Sequence, residues 1–176
     1  MGPNASYPGI RLLGSDENLR LAVRVGEMLA QQPADTVMIQ VSTWDEDESD
    51  ESYAAGLREL ADLLPPEGRL IVLSSPPTGD ESVNADLDRL AGVARDTAAA
   101  SDGRIVFIDT SAAWVSPPVL DANGDGAPER KRDLIHVCPA GAANFAAWLT
   151  TDDAKTIASP VVEACIGGTT ISCAGE

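Results

Sequence analysis

Positive charge is scarce in this sequence, and the scarcity limits the classes of partner. Lysine and arginine together number 12 against 28 aspartates and glutamates, which gives a formal net charge of −16. Lys131 and Lys155 are the only lysines. A chain this acidic repels nucleic acids and anionic membrane surfaces, so we predict that neither is a partner.

Long apolar runs are missing as well. No stretch approaches the roughly 18–20 apolar residues of a membrane-spanning helix, so we predict no direct membrane insertion. Residues 1–8 lack a basic region followed by an apolar core, so no signal peptide is visible. The compartment and the oligomeric state stay open at this level.

Cysteine is limited to Cys138, Cys165 and Cys173, whose spacing matches no metal site. We predict neither a metal nor a cofactor. A bridge between Cys165 and Cys173, a bridge from Cys138 to one of them, and free structural thiols all agree with the sequence. The redox compartment therefore stays open too.

The apolar residues that are present suffice for one core. The 176 residues, 44% of them hydrophobic, predict a single domain over residues 1–160 and a C-terminal tail over 161–176. Short, nearly all-apolar runs typical of buried strands alternate with stretches of helical spacing. The predicted strands are residues 10–13, 36–41, 69–74 and 104–109, and the predicted helices are residues 19–29, 52–64, 82–100 and 139–149.

This alternation predicts an α/β fold of three layers, with helices on both faces of a short parallel sheet. In such sheets, functional groups gather beyond the carboxyl ends of the strands. Those ends carry Gly14-Ser15, Ser42-Thr43-Trp44, Ser74-Ser75 and Asp109.

His136 is the only histidine, and Asp133 precedes it by three residues. The pair lies between an irregular segment, residues 111–132, and a predicted helix. An aspartate that holds one imidazole nitrogen leaves the other free to take a proton from a hydroxyl group. We therefore interpret Asp133 and His136 as the carboxylate–histidine part of a serine-hydrolase triad.

The block Asp133-Leu-Ile-His136-Val-Cys-Pro139-Ala-Gly141, followed by Phe145-Ala-Ala-Trp148-Leu149, resembles the last conserved block of the SGNH (GDSL-like) hydrolase family. It is most similar to bacterial SGNH domains linked to membrane O-acyltransferases. The segment Asp35–Asp45 resembles a second block, in which Ser42 stands where the family has Gly and Trp44 where it has Asn. The resemblance covers roughly residues 34–150.

The resemblance implies a flavodoxin-like SGNH architecture and an extracytoplasmic location. It also implies an ester hydrolase or O-acyltransferase that acts on an acylated small molecule or glycan through a serine ester. His136 is then the general base and Asp133 orients it. Gly14 and the segment Ser42-Thr43-Trp44 are expected to form the oxyanion and substrate pocket.

The family's Gly-Asp-Ser motif is not intact, because the corresponding place holds Gly14-Ser15-Asp16. Ser15 is either the nucleophile, activated near a helix N-terminus, or a helix cap. A second alignment matches residues 7–10 to a later family block, which leaves the first strand upstream of this chain. The missing Gly-Asp-Ser motif also motivates an alternative function, in which the chain is a catalytically inactive SGNH-like domain that serves as a binding or interaction module.

A third hypothesis is an unrelated flavodoxin-like or nucleotide-binding domain. No glycine-rich phosphate loop follows any predicted strand, and the acidic Gly14–Glu17 repels phosphate. The segment from Asp121 to Gly126 has the oxygen spacing that opens a calcium loop, but its twelfth position is Arg132. An ordinary turn is favoured there, since Asp, Asn and Gly are all turn residues.

Overall fold

The computed structural model describes residues 20–149, which form two compact units. The sheet unit comprises residues 20–75 and 82–110, and the loop unit comprises residues 76–81 and 111–149. Each unit is described here by itself. The single domain expected over residues 1–160 stays a prediction, because it includes residues outside this range.

A parallel sheet of three strands forms the centre of the sheet unit, with the order β1-β2-β3. Val37 pairs with Leu70, and Leu70 pairs in turn with Ile105. The strand over residues 10–13 falls outside the described residues, whereas the other three predicted strands are confirmed within a residue at each end. Their bounds are Thr36–Gln40 for β1, Arg69–Leu73 for β2 and Ile105–Ile108 for β3.

The predicted helices are also present, so the chain has a mixed α/β fold. Their bounds are Leu21–Gln31 for α1, Asp50–Asp62 for α2, Glu81–Ala99 for α3 and Pro139–Leu149 for α4. Ser49 caps α2 by accepting a hydrogen bond from the backbone N–H of Ser52. Asp50 and Glu51 follow in the first turn, where their negative charges interact favourably with the positive end of the helix dipole.

Arg104 stabilises the other end of α2. Its guanidinium donates to the carbonyl oxygens of Ala61 at 2.6 Å and of Pro66 and Gly68 at 2.8 Å. The last carbonyl oxygens of a helix receive no hydrogen bond from within the helix, so they need donors from elsewhere. The Arg104 guanidinium has several N–H groups and supplies such donors. The side chain just before β3 thereby fixes the connection between α2 and β2.

One face of the sheet carries the apolar core. Leu70 and Val72 of β2 are fully buried in a cluster that includes Leu57 and Leu60 of α2 and Leu90 of α3. Alternate residues of a strand point to opposite faces. Ile71 and Leu73, which face the other way, are buried too, as expected for a parallel sheet shielded on both faces.

The carboxyl ends of β2 and β3 are joined by a buried pair of hydroxyl groups. The Ser74 and Thr110 side-chain oxygens lie 3.0 Å apart, and Ser74 Oγ also accepts from the Thr110 backbone N–H at 2.8 Å. All of these bonds are internal. Ser74, one of the expected strand-end residues, therefore has a structural role.

The acidic segment after β1 is solvent-exposed for the most part, but Asp45 is buried. Burial and the nearby Asp45 carboxylate raise the pKa of Tyr53. Arg89 of α3 donates to the carbonyl oxygens of Glu46 and Glu48 and pairs with Asp50. Arg89 thus fixes the segment, although a run of acidic residues is usually a solvated loop.

Within residues 20–149, no helix combines the length and the apolar content needed to cross a membrane.

Candidate active site

A short antiparallel turn in the loop unit carries Asp133 and His136. Arg130 and Val137 form an isolated antiparallel bridge, and the Lys131 N–H donates to the His136 carbonyl oxygen at 2.9 Å. Leu134, at the tip, has a φ of 55°, in the left-handed region that non-glycine residues seldom adopt. These contacts hold the two ends of the turn together, and the two candidate side chains lie on that turn.

The Asp133 carboxylate organises this tip. Its Oδ1 accepts from the backbone N–H groups of Ile135 at 3.0 Å and His136 at 3.1 Å. Its Oδ2 lies 2.8 Å from His136 Nδ1. One carboxylate therefore fixes both the backbone of the turn and the orientation of the imidazole ring, as expected for a short-range Asx interaction.

The charge on Asp133 is stabilised in place. Burial raises its pKa, but the hydrogen bonds from the His136 side chain, and from the backbone of His136 and Ile135, outweigh that effect and lower it to about 2. An ionised Asp133 carboxylate can only accept a hydrogen bond, so it favours the tautomer of His136 in which Nδ1 carries the proton. The neutral ring then has its lone pair on Nε2. The His136 side chain is 60% exposed, so more than half of the imidazole side chain is accessible to solvent.

The start of helix α4 packs closely against the backbone at Glu129, next to the turn. The Cys138 N–H donates to the Glu129 carbonyl oxygen at 2.8 Å, and Cys138, which is buried, is disulfide-bonded. A Cβ added at Gly141 would lie 2.5 Å from the Glu129 carbonyl oxygen. Only glycine permits this approach, which explains why the block after His136 needs glycine there. The disulfide bond excludes a free thiol at Cys138. Cys165 and Cys173 lie outside the described residues.

A stack of aromatic rings joins α4 to the segment after β3. The Trp114 and Phe145 centroids are 4.9 Å apart, and the Phe145 and Trp148 centroids are 6.2 Å apart. The Arg130 guanidinium lies over the Trp114 ring, 4.7 Å from its centroid, and donates to the Ile135 carbonyl oxygen at 3.1 Å. Arg130 therefore links the ring stack to the turn.

A cavity of about 230 Å³ opens beside this stack. Trp114, Val115 and Val119 contribute apolar surface to it, and Glu129 and Arg130 contribute charge. Burial lowers the pKa of Arg130, while the neighbouring carboxylates Glu129 and Asp133 act in the opposite direction. No sequence pattern indicated this cavity, because residues 111–132 follow no helical or strand period.

The other expected site residues belong to the sheet unit or lie outside the described residues. Ser42, Thr43 and Trp44 belong to the sheet unit, where Ser42 Oγ accepts from the Trp44 N–H and caps a short 3₁₀ helix, Thr43–Asp45. Trp44 is 50% exposed. Gly14 and Ser15 lie outside the described residues, so the nucleophile stays a prediction.

The segment from Asp121 to Gly126 is a hydrogen-bonded turn. Asp121 accepts from the Gly124 N–H through Oδ1 at 2.7 Å and from the Gly126 N–H through Oδ2 at 2.8 Å. Both glycines have positive φ, 68° and 84°, which glycine adopts at little cost. In residues 20–149, no group of three or more His, Cys, Asp or Glu side chains is arranged to hold a metal ion.

Comparison with known proteins adds no assignment. No protein-family model matches this chain, and no curated protein matches it.

The described arrangement is therefore a carboxylate–imidazole pair. An imidazole that is oriented by an ionised carboxylate and largely exposed is able to accept a proton from a hydroxyl group and return it to a leaving group. Both steps need a hydroxyl or water within hydrogen-bond reach of Nε2.

Proposed function

We propose that the chain is an SGNH-type ester hydrolase or O-acyltransferase with a flavodoxin-like, three-layer architecture. It acts on an acylated small molecule or glycan through a serine ester. The observation that carries the proposal is the contact between Asp133 Oδ2 and His136 Nδ1 at 2.8 Å, with the imidazole otherwise exposed. The parallel sheet and its helices agree with the proposed architecture.

In the proposed mechanism, His136 Nε2 removes the proton from the Ser15 hydroxyl as its oxygen attacks the ester carbonyl. The imidazolium then gives that proton to the departing alkoxide, and an acyl-serine forms. Water in a hydrolase, or an acceptor hydroxyl in a transferase, attacks next with His136 again as the base. Asp133 stabilises the imidazolium in both steps, and Gly14 with Ser42–Trp44 is assigned to the oxyanion and substrate pocket.

Hydrolysis of p-nitrophenyl acetate tests the base. We expect His136→Ala to lower the rate roughly 10²–10⁴-fold, the usual contribution of a general base. Arg132→Ala is the matched control, because Arg132 is exposed on the same turn, and it should retain the wild-type rate. Equal rates for wild type and His136→Ala would refute the proposal.

A fluorophosphonate probe tests the nucleophile separately. Such probes react covalently with activated serine hydroxyls, so the wild type should be labelled at Ser15 and Ser15→Ala should not. Labelling at another serine would move the nucleophile while keeping the mechanism. A folded protein that takes no label and hydrolyses no ester would instead be the catalytically inactive binding module.

A further inference from the structure

The cavity beside Trp114 contains donors that lack acceptors. Arg130 is only 4% exposed, yet within residues 20–149 its guanidinium makes one hydrogen bond, to the Ile135 carbonyl oxygen, and no ion pair. The indole N–H of Trp114 is buried and also has no acceptor in that part of the chain. Buried donors are nearly always satisfied, so the Trp114 indole indicates a missing acceptor. The Arg130 guanidinium keeps N–H groups without a hydrogen bond among these residues, and a guanidinium best matches a carboxylate.

The same cavity presents acceptors a short distance along the chain. Glu129 Oε1 accepts from the side-chain amides of Asn123 and Asn144, and Oε2 accepts from the Ala122 N–H at 3.2 Å. Each amide uses its nitrogen for this contact, which leaves its oxygen as an acceptor. The two amide oxygens and the second lone pair of Oε2 together suit a group with several N–H donors, such as an ammonium.

The remaining lining is aliphatic. Val115 and Val119, 52% and 43% exposed, edge the cavity. The cavity volume of about 230 Å³ lies below the ~300–1,000 Å³ of pockets for drug-sized ligands. An occupant must therefore be small, with a short apolar group beside its polar ones.

We propose that this cavity binds a small zwitterion of the amino-acid class with an aliphatic side chain. Its carboxylate accepts hydrogen bonds from Arg130, its ammonium donates to Glu129, Asn123 and Asn144, and its side chain contacts Val115 and Val119. Such a ligand has no net charge, so the acidity of the chain does not repel it. The site is independent of ester chemistry and adds a binding activity to the proposed function.

Isothermal titration calorimetry with L-valine tests the site directly. L-valine should bind, whereas N-acetyl-L-valine, which lacks the ammonium, and L-valinamide, which lacks the carboxylate, should each bind at least about tenfold more weakly. Equal affinity for all three, or no binding of L-valine to the folded protein, would overturn the proposal. Binding of methyl glucoside in preference to L-valine would overturn it as well.

Two variants connect the binding to the named residues. Arg130→Lys should weaken L-valine binding by about tenfold or more, because lysine cannot make the paired contacts of a guanidinium. Arg132→Lys makes the same change on the exposed surface of the turn and should bind as the wild type does. If Arg130→Lys fails to fold, Asn144→Ala replaces it, since Asn144 is exposed; an unchanged affinity in the folded variant would contradict the assignment.

Discussion

The sheet unit and the loop unit are stabilised by different forces. In the sheet unit, Leu57, Leu60 and Leu90 are at most 1% exposed and belong to one apolar cluster. In the described part of the loop unit, the buried hydrophobic residues are Cys138 and Leu149, at 1% and 3%. Its conformation depends instead on carboxylates that accept backbone N–H groups, on stacked rings and on a disulfide. The first unit thus derives its stability from buried area, and the second derives its geometry from directional contacts.

The largest expected effect breaks the apolar cluster. Leu60→Ala should lower the free energy of unfolding by ~2–5 kcal/mol, the usual cost of a leucine-sized cavity. Leu63→Ala is the matched control, because Leu63, the residue that caps the carboxyl end of α2, is 40% exposed and should change stability by less than ~0.5 kcal/mol. Urea unfolding measures both, and similar losses in the two variants would show that burial in this cluster is not the source of stability.

A pair of glycine substitutions compares the two units. Gly141→Ala places a Cβ 2.5 Å from the Glu129 carbonyl oxygen, so it should destabilise by ~1–3 kcal/mol. Gly92→Ala in α3 meets nothing within 4 Å and should stabilise by ~0.5–1 kcal/mol through helix propensity. Thermal unfolding of both variants gives the signs. A stabilising Gly141→Ala would contradict the close packing of α4 on the turn.

The smallest effect concerns pH. The pKa of Asp133 in the folded protein, about 2, is below its ordinary 3.8. Its stabilisation is therefore complete above about pH 4 and is lost as the pH falls through about 2. The difference in thermal midpoint between wild type and Asp133→Asn should shrink over that interval. We expect a modest difference, because the side chain is 43% exposed; a difference that stays constant down to pH 2 would contradict the hydrogen-bonded carboxylate.

The contrast between the units also explains how much the sequence predicted. Strands and helices of the sheet unit follow from apolar periodicity, since burial on one face imposes a period on the chain. The contact of Asp133 with His136 was predictable because their spacing of three residues suits a local turn. Helix α4 was likewise visible from residues 139–149.

Contacts between distant polar residues could not be predicted in this way. Arg104, which precedes β3, contacts the end of α2, and Arg130 contacts the Trp114 ring. Both contacts join residues that are far apart in sequence and are connected by loops without a hydrophobic period. The burial of Asp45 within an acidic run is a further case, because composition favours solvent exposure there. Such contacts depend on where the backbone returns, which local patterns do not encode.

We propose that Asp133 presents His136 as a base through Nε2, and nitrogen-15 NMR of the imidazole ring tests this role most directly. With a single histidine in the chain, the two ring signals need no further assignment to a residue. In the neutral ring of the wild type, we expect the proton on Nδ1 and none on Nε2, and Asp133→Ala should shift the population toward the Nε2-protonated tautomer. A wild-type ring protonated on Nε2 would contradict the claim.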